Sequence, residues 1–154
     1  AAGIGLLYGA AGVVGLVAAG APVLSAVGDG AFLGDPQVVR ALLLGVLVTG
    51  LWAVLGTGFG AVVPHQVAAV VAILAFTQFV EPIARLALGA VDGLSVVSAY
   101  LPGAAADAVV GASLFSQMGD VDLLPAWAGA LVLLGYAAAL TLAGRLTTFA
   151  RDVV

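Results

Sequence analysis

Residues 51 to 88, LWAVLGTGFGAVVPHQVAAVVAILAFTQFVEPIARLAL, are the central feature of this chain. They contain two apolar runs separated by a turn of Pro64, His65 and Gln66. The runs belong to longer uncharged or nearly uncharged segments, at about 37–63 and 67–88, each long enough to cross the ~30 Å hydrocarbon core of a bilayer as a helix. Two such helices joined by a short turn lie antiparallel. This stretch therefore predicts a transmembrane helical hairpin.

The composition of the whole chain supports the same interpretation. Hydrophobic residues make up 64% of the 154 residues, charged residues only 8%, and the mean hydropathy is +1.27. A soluble domain carries far more charge than this. The apolar runs are continuous and do not alternate with polar residues, which favours helices over a membrane barrel. We expect an all-α integral membrane protein, a polytopic helical bundle.

Four transmembrane helices are predicted in a single domain over residues 1–154, at about 4–27, 37–63, 67–88 and 124–146. Between the third and fourth spans, residues 94–117 are apolar but broken by Pro102 and Gly103. The pieces on either side are too short to cross a bilayer. They predict short re-entrant or interfacial helices before the last span. Trp52, Tyr100 and Trp127 suit the aromatic belts found at membrane interfaces.

Glycines spaced for helix packing occur in two of these spans. Gly56, Gly58 and Gly60 lie in the first half of the hairpin, and the first span carries another set, Gly5, Gly9 and Gly12. Small residues three or four positions apart let helix backbones approach closely in lipid. Both sets are predicted to form helix contacts.

Glu81 and Arg85 form the only charged pair within a predicted span, and their spacing puts them on one helix face. An ionisable residue at depth costs about 2.5 to 3.5 kcal/mol on insertion scales, so it usually faces the bundle interior with a partner. Pro82 is expected to kink the helix just after Glu81. The pair has three possible roles: a neutral structural pair, an extracellular gate, or a proton-carrying acid. Asp107, in the short-helix segment, either lines an exit pathway or points to water.

Several classes of chemistry are excluded by what the sequence lacks. The chain has no lysine and therefore no phosphate-binding P-loop. With one histidine and no cysteine, it has neither a catalytic triad nor a plausible metal site, and four scattered arginines do not make a nucleic-acid surface. No catalytic, cofactor-binding or metal-binding residue is predicted, and the chain is not expected to be an enzyme.

The arginines also predict an orientation. Arg145 and Arg151 lie at or just after the end of the fourth span, which places the C-terminus in the cytoplasm under the positive-inside rule. Four spans then put the turn of Pro64, His65 and Gln66 on the cytoplasmic side. The loop with Asp29 and Asp35 lies outside, although Arg40 and Arg85 fall in the outer half against the rule.

Five motifs, taken in order, resemble a known family. They are LGTGFGAVV, a turn ending in Gln66, QFVEPIARL, LPGAAA, and GYAAALTLAGRLTTFARDV at the end. Their order and spacing resemble the membrane (permease) subunit of bacterial type-2 ABC exporters, particularly the small permeases of actinobacteria. The resemblance covers nearly the whole chain, as the last four helices of a six-helix permease, so two upstream helices and the coupling helix between them are expected to be missing.

The resemblance implies a multi-pass protein of the bacterial cell membrane that moves a hydrophobic or amphiphilic substrate out of the cell. Its partners would be cytoplasmic ABC ATPase subunits, a second permease copy or related chain, and membrane lipid, but no nucleic acid. No cofactor is expected in this chain, because ATP and Mg would be held by the ATPase. Glu81, Pro82, Arg85 and Asp107 would then be gate or pathway residues. Pro64 and His65 depart from the basic residue and Asn usual in the family's cytoplasmic turn.

Two other functions are compatible with the same residues. One is a non-catalytic accessory subunit of a larger membrane complex, held by the glycine faces. The other is a proton-coupled carrier that uses Glu81, although an acid paired with an arginine makes a poor proton shuttle because the pair favours the charged form.

Overall fold

The computed structural model describes residues 1–63, 65–91, 93–113 and 123–148, and about 85% of these are helical, with no strand among them. Four helices are long and apolar enough to span a membrane: α1 (Ala2–Ala26), α2 (Pro36–Val62), a third helix over Gln66–Gly89, and α7 (Ala126–Thr148). Each predicted span agrees with its helix to within two residues at both ends. The predicted all-α membrane bundle is confirmed.

Helix α2 is the centre of the bundle and packs along both α1 and α7. Glycines make the first contact close: a Cβ added to Gly5 would lie 2.5 Å from Ala53 Cβ, and one added to Gly9 would lie 3.0 Å from Val46 Cα. In the second contact, a Cβ on Gly58 would lie 3.0 Å from Leu140 Cβ. These three glycines therefore pack against a neighbouring helix as the sequence predicts.

The other predicted packing glycines have no such neighbour within this chain. A Cβ added to Gly12, Gly56 or Gly60 would meet no atom within 4 Å. Gly58 alone of the three in α2 faces α7, because residues two positions apart point about 200° apart around a helix. Gly144, which was not singled out, makes the complementary approach from α7, with its added Cβ 2.7 Å from Ala61 Cβ.

The loop between α1 and α2 contains a short 3-10 helix, Gly30–Gly34. Asp35 ends the loop and caps α2, because its Oδ1 accepts a hydrogen bond of 2.7 Å from the Gln37 backbone N–H. Pro36 stands in the first turn of α2, where a missing N–H costs nothing. The predicted loop with Asp29 and Asp35 therefore ends in the N-cap of α2.

The third helix contains a wide turn immediately before Pro82. It consists of α3 (Gln66–Ala75), a π-helical turn (Phe76–Val80) and α4 (Glu81–Gly89), and the Glu81 N–H donates to the Phe76 carbonyl five residues back. A proline inside a helix has no N–H to donate, and its ring clashes with the carbonyl four residues before it. The sequence predicts a kink after Glu81, and the structure places a π-helical turn immediately before Pro82.

Two short helices follow the third span, α5 (Ser95–Ser98) and α6 (Pro102–Val110). Pro102, at the N-terminus of α6, lies beside Trp52 and Tyr136, near the middles of α2 and α7. The other end of α6 lies beside the first residues of α2. The helix therefore runs from the middle of the bundle back to one end, as a re-entrant helix does.

The core of the described chain lies where α6 meets α2 and α7. Gly129 lets α7 approach α6 so closely that an added Cβ would lie 2.5 Å from the Ala105 carbonyl oxygen. Gly111 ends α6 in the left-handed region, with φ of +80°, which favours glycine. The buried apolar residues around this contact are Val48, Leu55, Ala105, Ala106, Val109, Leu133 and Ala137.

Candidate functional site: an ion-pair network at the re-entrant helix

The structure brings together the three charged residues that the sequence singles out. Arg85 contacts Glu81 on its own helix face, with 2.8 Å between Nη2 and Oε1, as the spacing predicts. The same guanidinium reaches Asp107 on α6, with 2.8 Å between Nη1 and Oδ2. Arg85 therefore bridges two carboxylates that lie 26 positions apart in the chain.

Glu81 also caps the N-terminus of α6. Its Oε1 accepts hydrogen bonds from the backbone N–H groups of Gly103, at 2.6 Å, and Ala104, at 3.1 Å. The first N–H groups of any helix lack partners within that helix, and the helix dipole places partial positive charge there. No side chain within the chain segment before α6 caps it, since Leu101 occupies the N-cap position. A carboxylate from another helix takes that place.

Gly103 gives the charged side chains the space that they occupy at this contact. A Cβ at this position would lie 2.5 Å from Arg85 Nη2 and 2.6 Å from Glu81 Oε1, distances that real Cβ atoms do not tolerate. Pro102, immediately before it, suits the first position of a helix because its missing N–H would be unpaired there. The Pro102–Gly103 pair therefore starts α6 and leaves room for the ions.

Asp107 is the outer member of the network. Its Oδ2 accepts a hydrogen bond of 2.8 Å from Ser113 Oγ in addition to the bond from Arg85. Glu81 and Arg85 are 3% and 8% exposed, but the Asp107 side chain is 31% exposed. The Glu81–Arg85 part of the network is therefore buried, and the Asp107 part is partly exposed.

Sequence reasoning found the charged residues but missed much of their arrangement. Asp107 does not simply point to water, because it pairs with Arg85. Gly103 and Ser113 were not singled out, and the capping role of Glu81 was not foreseen. A Pro-Gly pair that opens a short helix after an intramembrane acid is the signal that could have indicated the cap.

An apolar cleft lies beside the network, between α2, the third helix, α7 and the start of α6, with a volume of about 210 Å³. Its lining residues are Trp52, Leu55, Phe59, Ile73, Phe76, Thr77, Pro102, Tyr136 and Leu140. Trp52 is thus part of an internal wall near the middle of α2, and its expected place in an interfacial belt is wrong. Trp127, at the start of α7, is exposed.

The remaining predicted site residues lie away from the network. His65 is exposed and precedes α3, which begins at Gln66, while Pro64 lies outside the described residues. Pro82 lies in the first turn of α4, next to Glu81. Among the described residues, no three His, Asp or Glu side chains are grouped as a metal site requires.

The chain matches no protein-family model, no curated protein and no solved structure.

Proposed function

We propose that this chain is the membrane-spanning permease component of an ATP-driven ABC exporter, moving a hydrophobic or amphiphilic compound out of a bacterial cell. The observation that carries the proposal is the tie between a spanning helix and a re-entrant helix through Glu81. In the family that the sequence resembles, short re-entrant helices stand between the last two spans on the extracellular side. The described helices follow the same order.

The network is suited to a gate because few contacts decide the position of α6 relative to the third helix. Apart from the charged cluster, the third helix packs mainly on α5 and only sparsely on α2. Breaking the bonds of Glu81 would free the N-terminus of α6 from that helix. A gate with a small number of strong bonds can have two discrete states, which alternating access requires.

The third helix also leaves a large apolar surface for lipid or for another permease chain. Eight large apolar side chains along it are exposed: Val67, Val70, Val71, Leu74, Phe79, Val80, Ile83 and Leu86. Surfaces of this kind are covered by acyl chains or by a partner helix in a membrane. A second permease copy and a separate cytoplasmic ATPase are the proposed partners, with the C-terminus cytoplasmic.

The geometry favours a gate over a proton-carrying acid. Glu81 Oε1 accepts four hydrogen bonds, two from Arg85 and two from the start of α6. Protonation would weaken all of them, since a charged acceptor forms the stronger bonds. A proton carrier would weaken the cap of α6 in every transport cycle, whereas a gate keeps Glu81 charged and the cap intact until the gate opens.

The first test is purification of the full-length parent chain in a mild detergent, followed by mass identification of bound proteins and an ATPase assay. We expect a stoichiometric partner with a P-loop and ATP hydrolysis that vanadate inhibits. A chain that purifies alone, or within an assembly lacking such an ATPase, contradicts the proposal and favours the carrier or the accessory subunit, respectively.

The second test is Glu81→Gln, which keeps the size of the side chain and removes its charge. Charge-assisted hydrogen bonds contribute about 1.5 to 3 kcal/mol each, so losing one changes the population of the tied state by roughly tenfold or more. We expect efflux to fall by a similar factor while membrane insertion is unchanged. Asp29→Asn, in the exposed loop between α1 and α2, is the control. Normal efflux in the Glu81 variant would contradict the gate.

A further inference from the structure

We propose that the apolar cleft binds the aromatic part of a lipophilic cation. This inference names a substrate class and rests on the proposed transport function for its physiological meaning. The binding itself is a property of the cleft and can be tested without transport or ATP hydrolysis. Three features support it: the size of the cleft, the chemistry of its wall and the charge beside it.

The cleft is large enough for one substituted aromatic ring. Its volume is about 210 Å³, and an apolar cavity of about 150 Å³ holds benzene. Four of the lining residues are aromatic, Trp52, Phe59, Phe76 and Tyr136. They come from α2, the π-helical turn and α7, so aromatic rings stand on several sides of the space. Aromatic faces attract both other rings and cations.

The wall offers no free hydroxyl to an anion. Thr77 Oγ1 donates to the Ile73 carbonyl, and Tyr136 Oη donates to the Tyr100 carbonyl. Both hydroxyl protons are therefore used within the protein. An anionic ligand would find no donor among these two groups, whereas a cation needs none.

The charge beside the cleft is negative. Glu81 and Asp107 share the single guanidinium of Arg85, and the partial positive charge of the α6 N-terminus offsets only about half of the remaining charge. Thr77 is one helical turn before Glu81, and Pro102 adjoins Gly103, whose N–H binds Glu81. Both residues line the cleft, so the network lies directly behind its wall.

This negative charge has no second arginine to balance it in the described chain. Arg40, in the second turn of α2, forms no ion pair with Asp107, Arg145 stands in the last turn of α7, and the sequence has no lysine. Fields in an apolar interior are poorly screened by water or salt. The aromatic wall and the charge therefore favour the same ligand, a positively charged aromatic compound, over a neutral lipid chain.

The test measures binding through Trp52, one of only two tryptophans. Trp127→Phe leaves Trp52 as the sole indole in the purified full chain. The ligands are phenyltrimethylammonium and tert-butylbenzene, which share a shape and differ in charge. We expect both to change Trp52 fluorescence. The dissociation constant of the cation, measured against free ligand concentration, should be roughly fivefold or more lower than that of the neutral compound.

Three further variants separate the wall from the charge. Phe76→Leu removes a lining ring and should weaken both ligands, while Phe79→Leu in the same π-helical turn, 67% exposed, should change neither. Asp107→Asn removes the excess negative charge. It should bring the ratio of the two dissociation constants to about one by weakening cation binding. Unchanged binding of tert-butylbenzene to this variant shows that the cleft has kept its shape.

Equal affinity for the two compounds in the parent chain would overturn the proposal, as would the absence of any Trp52 response. A preference for the cation that survives Asp107→Asn would overturn the role of the charged network. These outcomes are independent of the ATPase test. Cation binding without a bound ATPase would contradict the exporter and support the cleft assignment. A bound ATPase without cation binding would support the exporter and contradict the cleft assignment.

Discussion

At the residue scale, Glu81 shows how a carboxylate is held in the interior of a membrane bundle. It is 3% exposed, and burying an ion without partners costs far more than a domain can supply. Here the guanidinium of Arg85 and the backbone of α6 both donate to one oxygen. The same contact also satisfies the N-terminus of α6, whose first N–H groups would otherwise lack an acceptor. Each group offsets the desolvation of the other.

Gly103→Ala should destabilise the protein at this contact. A methyl group there would collide with Glu81 and Arg85, and separating them costs about 2 kcal/mol for one lost charge-assisted hydrogen bond. The midpoint of thermal unfolding in a fixed detergent measures the effect.

Gly135→Ala in α7 is the matched control for that substitution, since an added Cβ there meets nothing within 4 Å. Alanine forms helix better than glycine by about 1 kcal/mol, so the control should be unchanged or more stable. Equal behaviour of the two variants would contradict the requirement for glycine at position 103.

At the scale of single elements, α6 is a helix that cannot stand alone. Nine residues are too few for a stable isolated helix in water. It is stabilised by the Glu81 cap at one end, by Gly111 at the other, and by its alanines packed on Gly129 of α7. Its position therefore depends on three other helices, because it also packs on α2.

Helix α2 also depends on one small residue for its contact with α7. Gly58→Leu should push α7 away from α2 and lower stability by about 1 to 3 kcal/mol, the usual cost of overpacking. Its added Cβ already lies 3.0 Å from Leu140 Cβ. Gly60→Leu, two residues along and exposed, should leave the unfolding midpoint of the single chain unchanged. A comparable fall of the unfolding midpoint in both variants would contradict the assignment of Gly58 to this contact.

At the scale of the whole molecule, the four helices that are long and apolar enough to span a membrane predict how the loops are distributed between its two sides. A spanning helix has its two ends on opposite sides of the membrane, so α2 predicts that the loop after α1 and the turn after α2 face different compartments. The arginines near the C-terminus predict which is which: the Asp29 loop outside and the His65 turn inside.

The chain has no cysteine, which makes this prediction direct to test. Asp29→Cys and His65→Cys each place one thiol at an exposed position. A membrane-impermeant maleimide added to intact cells should label the first variant and should label the second only after permeabilisation. The reverse pattern would invert the orientation, and labelling of both from outside would contradict α2 as a spanning helix.

The sequence by itself determined the class of the protein and its spans, because apolar length is a local property and every span needs about 20 apolar residues. It also indicated Glu81 with Arg85, since a four-residue spacing fixes a shared helix face. The packing of Gly5 and Gly9 followed from spacing as well. Gly56 and Gly60 did not, because a glycine pattern does not specify which face another helix covers.

Only the tertiary structure decided what the charges do. Asp107 and Gly103 lie more than twenty residues from Glu81. The Pro102–Gly103 pair marks where a short helix begins, but a nearly uniform apolar sequence does not indicate which span that helix packs against. The aromatic cleft depends on the same fold, because Phe76, Trp52 and Tyr136 come from three separate helices. Long-range contacts set these features, and local propensity carries no information about them.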